Sequence, residues 1–308
     1  MISRPLGSTA ATLCLIAAMA LVGANVALGK TIAREVPIYA FLVFRFGVAS
    51  LVLAALARGE AGPRLGAMTG AERRQLVAMA ALGMVGFTIC MLEGVKRTAA
   101  ADAGIITATL PAAVAVLGVL ALGERLTWMR AGAIGCAMLG VALVQAGGAD
   151  VAAGSLLTGG PLAGNLLVGG AVACEASFVI LAKRLAERFR PFRLALGANV
   201  AGLVLSLPLL ALDWGRLDVA RFSLRLWATA VWYVLAASIV SLWFWYRGLP
   251  HVETWRAGVA TTALPVTALA VSAVALGEPI GPARLAGAAL VIAGIVIAAL
   301  APGDARRR

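Results

Sequence analysis

A chain of 308 residues has the length of about two soluble domains, yet 62% of it is hydrophobic, only 13% is charged and the mean hydropathy is +0.96. A soluble domain carries about 25% charged residues, and a single core could not bury this much apolar surface. Disordered, collagenous, disulfide-rich secreted and soluble classes are excluded, which leaves a polytopic membrane protein with the lipid bilayer as its solvent. The net charge of +12 does not point to nucleic acid, because the Lys and Arg residues fall in short clusters between apolar runs rather than on one solvated face.

A membrane helix needs about 20 apolar residues. The pattern predicts spans at 11–33, 38–57, 76–93, 98–121, 128–147, 162–183, 193–212, 225–246, 253–276 and 282–301. The first run is long for a signal-peptide core and reads as a retained span. Breaks follow Pro37, the Arg58–Arg74 stretch, Lys96-Arg97 and Glu124-Arg125. Later ones follow Gly159-Gly160-Pro161, Arg188–Arg193, Asp213–Arg225, Arg247–His251 and Glu278–Pro282. Cys14, Cys90, Cys136 and Cys174 lie inside apolar runs without a C-x-x-C pair, so they read as small apolar fillers rather than zinc or redox groups. Of the 26 Lys and Arg residues, 17 fall on the face that holds both termini, eight on the other, and Arg45 within a span. That bias predicts cytoplasmic termini and a plasma (inner) membrane location.

The chain also repeats itself. AGIITATLP at 103–111 matches AGVATTALP at 257–265, and ALGE at 121–124 matches ALGE at 275–278, all at an offset of 154. The halves are 1–147 and 162–301, joined by a Gly- and Ala-rich linker at 148–161 and followed by a basic tail at 302–308. A repeat with an odd number of spans enters the membrane from the opposite face the second time. The expected fold is therefore all-α, with ten transmembrane helices as two inverted-topology repeats of five. Glu124 then sits at the cytoplasmic side and Glu278 at the external side.

These residues resemble the drug/metabolite transporter superfamily in its EamA-like branch. Each repeat has a mid-membrane Pro followed by "GE" at the helix end, here Pro111 with Gly123-Glu124 and Pro265 with Gly277-Glu278. There is a narrower likeness to bacterial amino-acid exporters, including the aromatic amino-acid exporters. The second copy departs in a loop, where Gly281-Pro282 and one extra residue stand against Thr127-Trp128. The resemblance implies a small-molecule pathway between the two repeats, lined by spans one to four and six to nine.

Several residues inside the spans carry chemistry of their own. Pro111 and Pro265 lack an N–H, so the carbonyls of Thr107 and Thr261 four residues earlier lose their partner. With the threonine hydroxyls they form polar spots at mid-membrane, tolerated beside protein or a wet cavity. Glu175 is the one acid deep in a span, and such a group usually marks a pathway. It can hold a substrate ammonium, carry a proton, or stay protonated against Ser177 or the helix backbone. Arg45 can anchor a carboxylate or pair with Glu175 or Glu93. Asn25 and Asn199 read as helix glue or ligand contacts.

In the eighth span Trp232, Tyr233, Trp243, Phe244, Trp245 and Tyr246 concentrate. Trp245 and Tyr246 are expected in the interfacial belt, while others, Trp243 among them, can line a cavity. Gly132, Gly135, Gly140, Gly287 and Gly294 read as close-packing positions within the chain or in a dimer. No cofactor is expected, since G-x-x-x-x-G-K-[ST] is absent and one loop His and scattered acids make no catalytic or metal set. The expected activity is export of small metabolites, foremost amino acids, with drugs or organic cations as the alternative.

Overall fold

The computed structural model describes residues 6–25, 32, 35–95, 97, 103, 106–146, 162–213, 215, 222–276 and 280–300. Among them every regular element is a helix. The first half holds α1 (Ser8–Ala24) and α2 (Ile38–Arg58), then a rod of α3 (Gly70–Ala80), a π-helical turn (Ala81–Gly86) and α4 (Phe87–Val95). It ends with α5 (Leu110–Leu122) and α6 (Trp128–Ala146). The second half holds α7 (Leu162–Ala186) and α8 (Pro191–Ser206) with a 3-10 segment at Pro208–Asp213. It continues through α9 (Leu224–Val234), a second π-helical turn (Leu235–Val240), α10 (Ser241–Gly248) and α11 (Thr254–Thr261). The last elements are α12 (Ala263–Leu276) and α13 (Pro282–Leu300).

Local features recur at the offset seen in the sequence. Thr69 caps α3, its Oγ1 accepting from the Glu72 N–H at 3.2 Å, and Ser223, 154 residues on, caps α9 by accepting from Leu226 N–H at 3.1 Å. A side-chain oxygen at that position satisfies an N–H the first turn leaves unpaired. The π-helical turns begin at Ala81 and Leu235, again 154 apart. Helices α2 and α8 start directly after Pro37 and at Pro191, where a missing N–H costs nothing.

Antiparallel partners join the halves. The Asp213 carboxylate accepts the N–H groups of Tyr39 (2.8 Å) and Ala40 (3.0 Å) at the start of α2. In return Glu60, just past the end of α2, accepts those of Phe192 (3.0 Å) and Arg193 (2.9 Å) at the start of α8. Each carboxylate meets the positive end of a helix dipole. Helices α6 and α13 run equally close: a Cβ on Gly140 would meet the Gly287 carbonyl oxygen at 2.7 Å, and one on Gly294 the Ala133 oxygen at 2.9 Å. With no hydrophobic drive between helices in lipid, small residues permit the backbone approach that holds such a pair. Gly132 and Gly135 face open space instead, so they take no part in this crossing.

Among the described residues five helical stretches are long and apolar enough to cross a membrane, and Ser8–Ala24, Leu110–Leu122, Trp128–Val144 and Pro191–Ser206 are shorter apolar helices. The boundaries differ from the sequence reading at several places. The third span begins at Gly70, because the capping box starts the helix before the apolar run does. The ninth is not one helix: the chain turns at Thr262 between α11 and α12. Of the fourth, the described part breaks at Thr109 before α5. The linker 148–161, the tail 302–308, Gly104 and Gly277-Glu278 lie outside the described residues.

Candidate functional site

Both prolines stand in the first turn of a restarted helix, so each of these spans is broken where a kink in a continuous helix was expected. Pro111 follows the turn at Thr109 and is buried, and Pro265 follows the turn at Thr262. First-turn N–H groups have no intrahelical acceptor, which is why proline is accommodated there. Hydroxyl groups at the breaks turn back onto their own helices: Thr109 donates to Ile106 O, Thr261 to Gly258 O and Thr262 to Val259 O, each at 2.6 Å. Thr107 is half-buried on the turn before the first break, and Thr261 is buried.

Arg45 lies two turns into α2, where a guanidinium is costly to keep. Its Nε–H donates to the buried Ser238 Oγ at 2.7 Å, and its Cζ stands 5.5 Å from the Phe46 ring centroid and 5.7 Å from that of Tyr233. Ser238 belongs to the second π-helical turn, a local widening frequent at functional sites. Among the described residues the two terminal nitrogens of Arg45 make no hydrogen bond or ion pair. The sequence left pairing with Glu175 or Glu93 open; among the described residues Arg45 bonds neither, and Glu93 is paired with Arg97 at 2.5 Å.

Glu175, half-buried in α7, likewise makes no hydrogen bond or ion pair among the described residues. One turn along the same face, the Phe178 ring lies 6.5 Å from Tyr246. Ser177 donates to Ala173 O (2.7 Å), Asn25 to Leu21 O (2.7 Å) and Asn199 to Ala195 O (2.8 Å), so each directs its donor to the preceding turn of its own helix. Asn25 Oδ1 and Asn199 Oδ1 are buried and accept from no described group.

Trp245 and Tyr246 are 1% exposed, inside the bundle rather than in the interfacial belt expected of them. The reason is Gly248: a Cβ there would meet the Ala11 carbonyl oxygen at 2.6 Å, so α10 and α1 approach closely and enclose the rings. Trp243 stacks on Phe192 (6.1 Å) and carries the Arg247 guanidinium over its face (4.9 Å). It lines a cleft of 750 Å³ with Arg188, Arg190, Arg247 and His251, on the face that holds the start of α1. The buried Tyr246 also lines the cleft.

Sequence reasoning missed the densest polar cluster on that face. Gly123 ends α5 in the left-handed conformation (φ 67°), which points Glu124 back across the bundle. Glu124 Oε1 and Oε2 each accept the Thr254 N–H at 2.9 Å, and Oε1 accepts the Thr254 hydroxyl at 2.7 Å. Lys183 Nζ donates to Glu124 Oε1 at 2.7 Å and to Thr254 Oγ1 at 3.0 Å. The Lys183 side chain is 1% exposed and that of Glu124 8%. Burial alone would raise the Glu124 carboxyl, but the Lys183 ammonium and the Thr254 donors outweigh it and hold the group below the usual carboxylate range. Beside it Glu253 pairs with Arg130 (2.8 Å) and accepts from the Trp255 ring N–H (2.9 Å). The one sequence signal for this cluster was the "GE" itself, since Gly-Glu after an apolar run marks a helix end with an acid beyond it.

The profile of the EamA-like transporter family matches residues 9–146 and again 162–300. The chain is 30% identical over 284 residues to an uncharacterized transporter of Bacillus subtilis (strain 168), YetK, covering 92% of this chain and 84% of the relative. It is 27% identical over 255 residues to a probable terminal-alkyne amino-acid exporter of Streptantibioticus cattleyicolor, covering 82% and 81%. A solved structure titled only as a crystal structure of a protein superposes with a TM-score of 0.75 at 19% identity, covering 94% of this chain and 96% of that one, a likeness of fold.

Proposed function

Because this chain belongs to the EamA-like transporter family, we propose that it is a secondary carrier of the inner membrane that exports small metabolites, foremost amino acids, by alternating access between two inverted five-helix halves. The observation that carries the substrate reading is a pair of ionisable side chains inside the spans, Arg45 and Glu175, whose polar ends are not fully used by the protein. Arg45 presents two free guanidinium nitrogens and Glu175 a free carboxyl group among the described residues, and they are not bonded to each other. In this reading a zwitterion binds with its carboxylate on the planar fork of Arg45 and its ammonium on Glu175. The aromatic rings of Tyr233, Phe46 and Tyr246 beside these groups suit an apolar side chain. The relative named as a probable amino-acid exporter supports the same class.

The inverted architecture draws support from the antiparallel partners α2 with α8 and α6 with α13, and from the repeat offset. Asn25, Thr107, Pro111, Ser177, Asn199, Trp243, Thr261 and Pro265 complete the pathway in this reading. The Glu124–Lys183–Thr254 cluster ties α5, α7 and α11 together beneath the arginine-rich face, which the charge bias makes cytoplasmic. Rocking of the halves toward that face must break it.

Counterflow into proteoliposomes tests the substrate class. An amino-acid panel should give saturable exchange that is lost in Arg45→Gln and Glu175→Gln. Exchange of a quaternary cation without any amino acid, sensitive to Glu175→Gln alone, would replace the assignment with an organic-cation exporter.

A further inference from the structure

We propose that the groove between the end of α2 and the start of α8 is a binding site for an anionic phospholipid, whose phosphate lies between Arg58 and Arg64. The groove has a volume of 480 Å³ and is lined by Ala54, Ala57, Leu65 and Leu196 on its apolar side and by Arg58, Arg64 and Arg193 at its rim. Its two halves match the two halves of such a lipid. The apolar wall runs along α2 toward Leu51, which is 76% exposed on the face that lipid must cover.

The rim is built by the loop between α2 and α3. Arg193, 8% exposed, donates from Nη1 to Pro63 O at 3.0 Å and bonds the carbonyls of Gly62 and Glu60. These bonds fold the loop against the first turn of α8 and hold Arg64 opposite Arg58. The acid of this loop, Glu60, is already taken by the Phe192 and Arg193 N–H groups. Arg58 and Arg64 are exposed and make no hydrogen bond, ion pair or ring contact among the described residues. A lone basic residue in the last turn of α2 would be explained by the helix dipole. Arg64 caps the N-terminus of the 3-10 turn Leu65–Ala67, an end whose dipole disfavours a cation, so its place across the groove from Arg58 calls for an anion. Arginine holds phosphate through paired N–H donors, and basic recesses between helices at the membrane surface select anionic headgroups.

Native mass spectrometry of protein purified in mild detergent and titrated with phosphatidylglycerol tests the site. Wild type should retain one lipid tightly, and Arg58→Gln/Arg64→Gln should weaken that binding about 30-fold, as expected for two charges at a membrane surface. Ala54→Phe, which fills the apolar half and keeps both arginines, should weaken it as well. Arg74→Gln removes an equivalent exposed charge outside the groove and should leave it unchanged. Unaltered retention in the double variant would overturn the proposal. So would an equal loss in Arg74→Gln, which means unspecific charge attraction, or full displacement by inorganic phosphate, which means a free-anion site. Transport need not be measured, so the result stands apart from the substrate assignment.

Discussion

Removing one partner of the Glu124–Lys183 pair leaves a charge in a site that water hardly reaches. With Lys183 1% and Glu124 8% exposed, neither can recover its hydration by a small side-chain movement. Glu124→Gln strands the Lys183 ammonium and should cost about 3–5 kcal/mol, the usual range for half of a buried pair. Lys183→Met leaves the carboxylate with its Thr254 donors and should fall at the low end, about 3 kcal/mol. The double variant Glu124→Gln/Lys183→Met buries no charge, so it should be more stable than the sum of the single losses by roughly 2 kcal/mol or more. Equilibrium unfolding in mixed micelles of rising SDS fraction gives the four stabilities of the cycle. Additivity within about 0.5 kcal/mol would refute the claim that the pair acts as a unit. Acid supplies a second reading. Because the folded state holds the Glu124 carboxyl below its ordinary value, its contribution is present above about pH 4.3 and fades as the pH falls below that through the folded value. Wild type should therefore lose stability on acidification more steeply than Glu124→Gln.

Gly140→Ala places a methyl group 2.7 Å from the Gly287 carbonyl oxygen and from Val291, and backbone cannot yield as a side chain can. It should cost about 1–3 kcal/mol in the same unfolding assay, whereas Gly132→Ala, with nothing within 4 Å, should cost nothing measurable. Single cysteines at Gly123 and Gly277, in a background without the four native ones, should react with an impermeant maleimide from opposite faces of the membrane. Labelling of both from one face would remove the inverted-repeat reading.

The family was legible in the sequence because its signals are local and periodic. Apolar runs of span length, a Pro and a "GE" recurring at one offset, and Lys and Arg gathered on one side all survive without any tertiary contact. Helix ends were less legible. A capping box begins α3 six residues before the apolar pattern shows it, and the threonine turns break spans whose hydropathy is continuous. Partner choice was decided by the tertiary structure alone. Arg45 reaches Ser238 because a π-helical turn 193 positions away presents that hydroxyl, and Lys183 reaches Glu124 because a left-handed Gly123 points the acid across the bundle. Gly248 likewise draws Trp245 and Tyr246 inside, although composition places them at the interface. A span's sequence records how much of it must avoid water. Which way each polar group faces depends on helix rotation and backbone approach, and these are set by neighbours far along the chain.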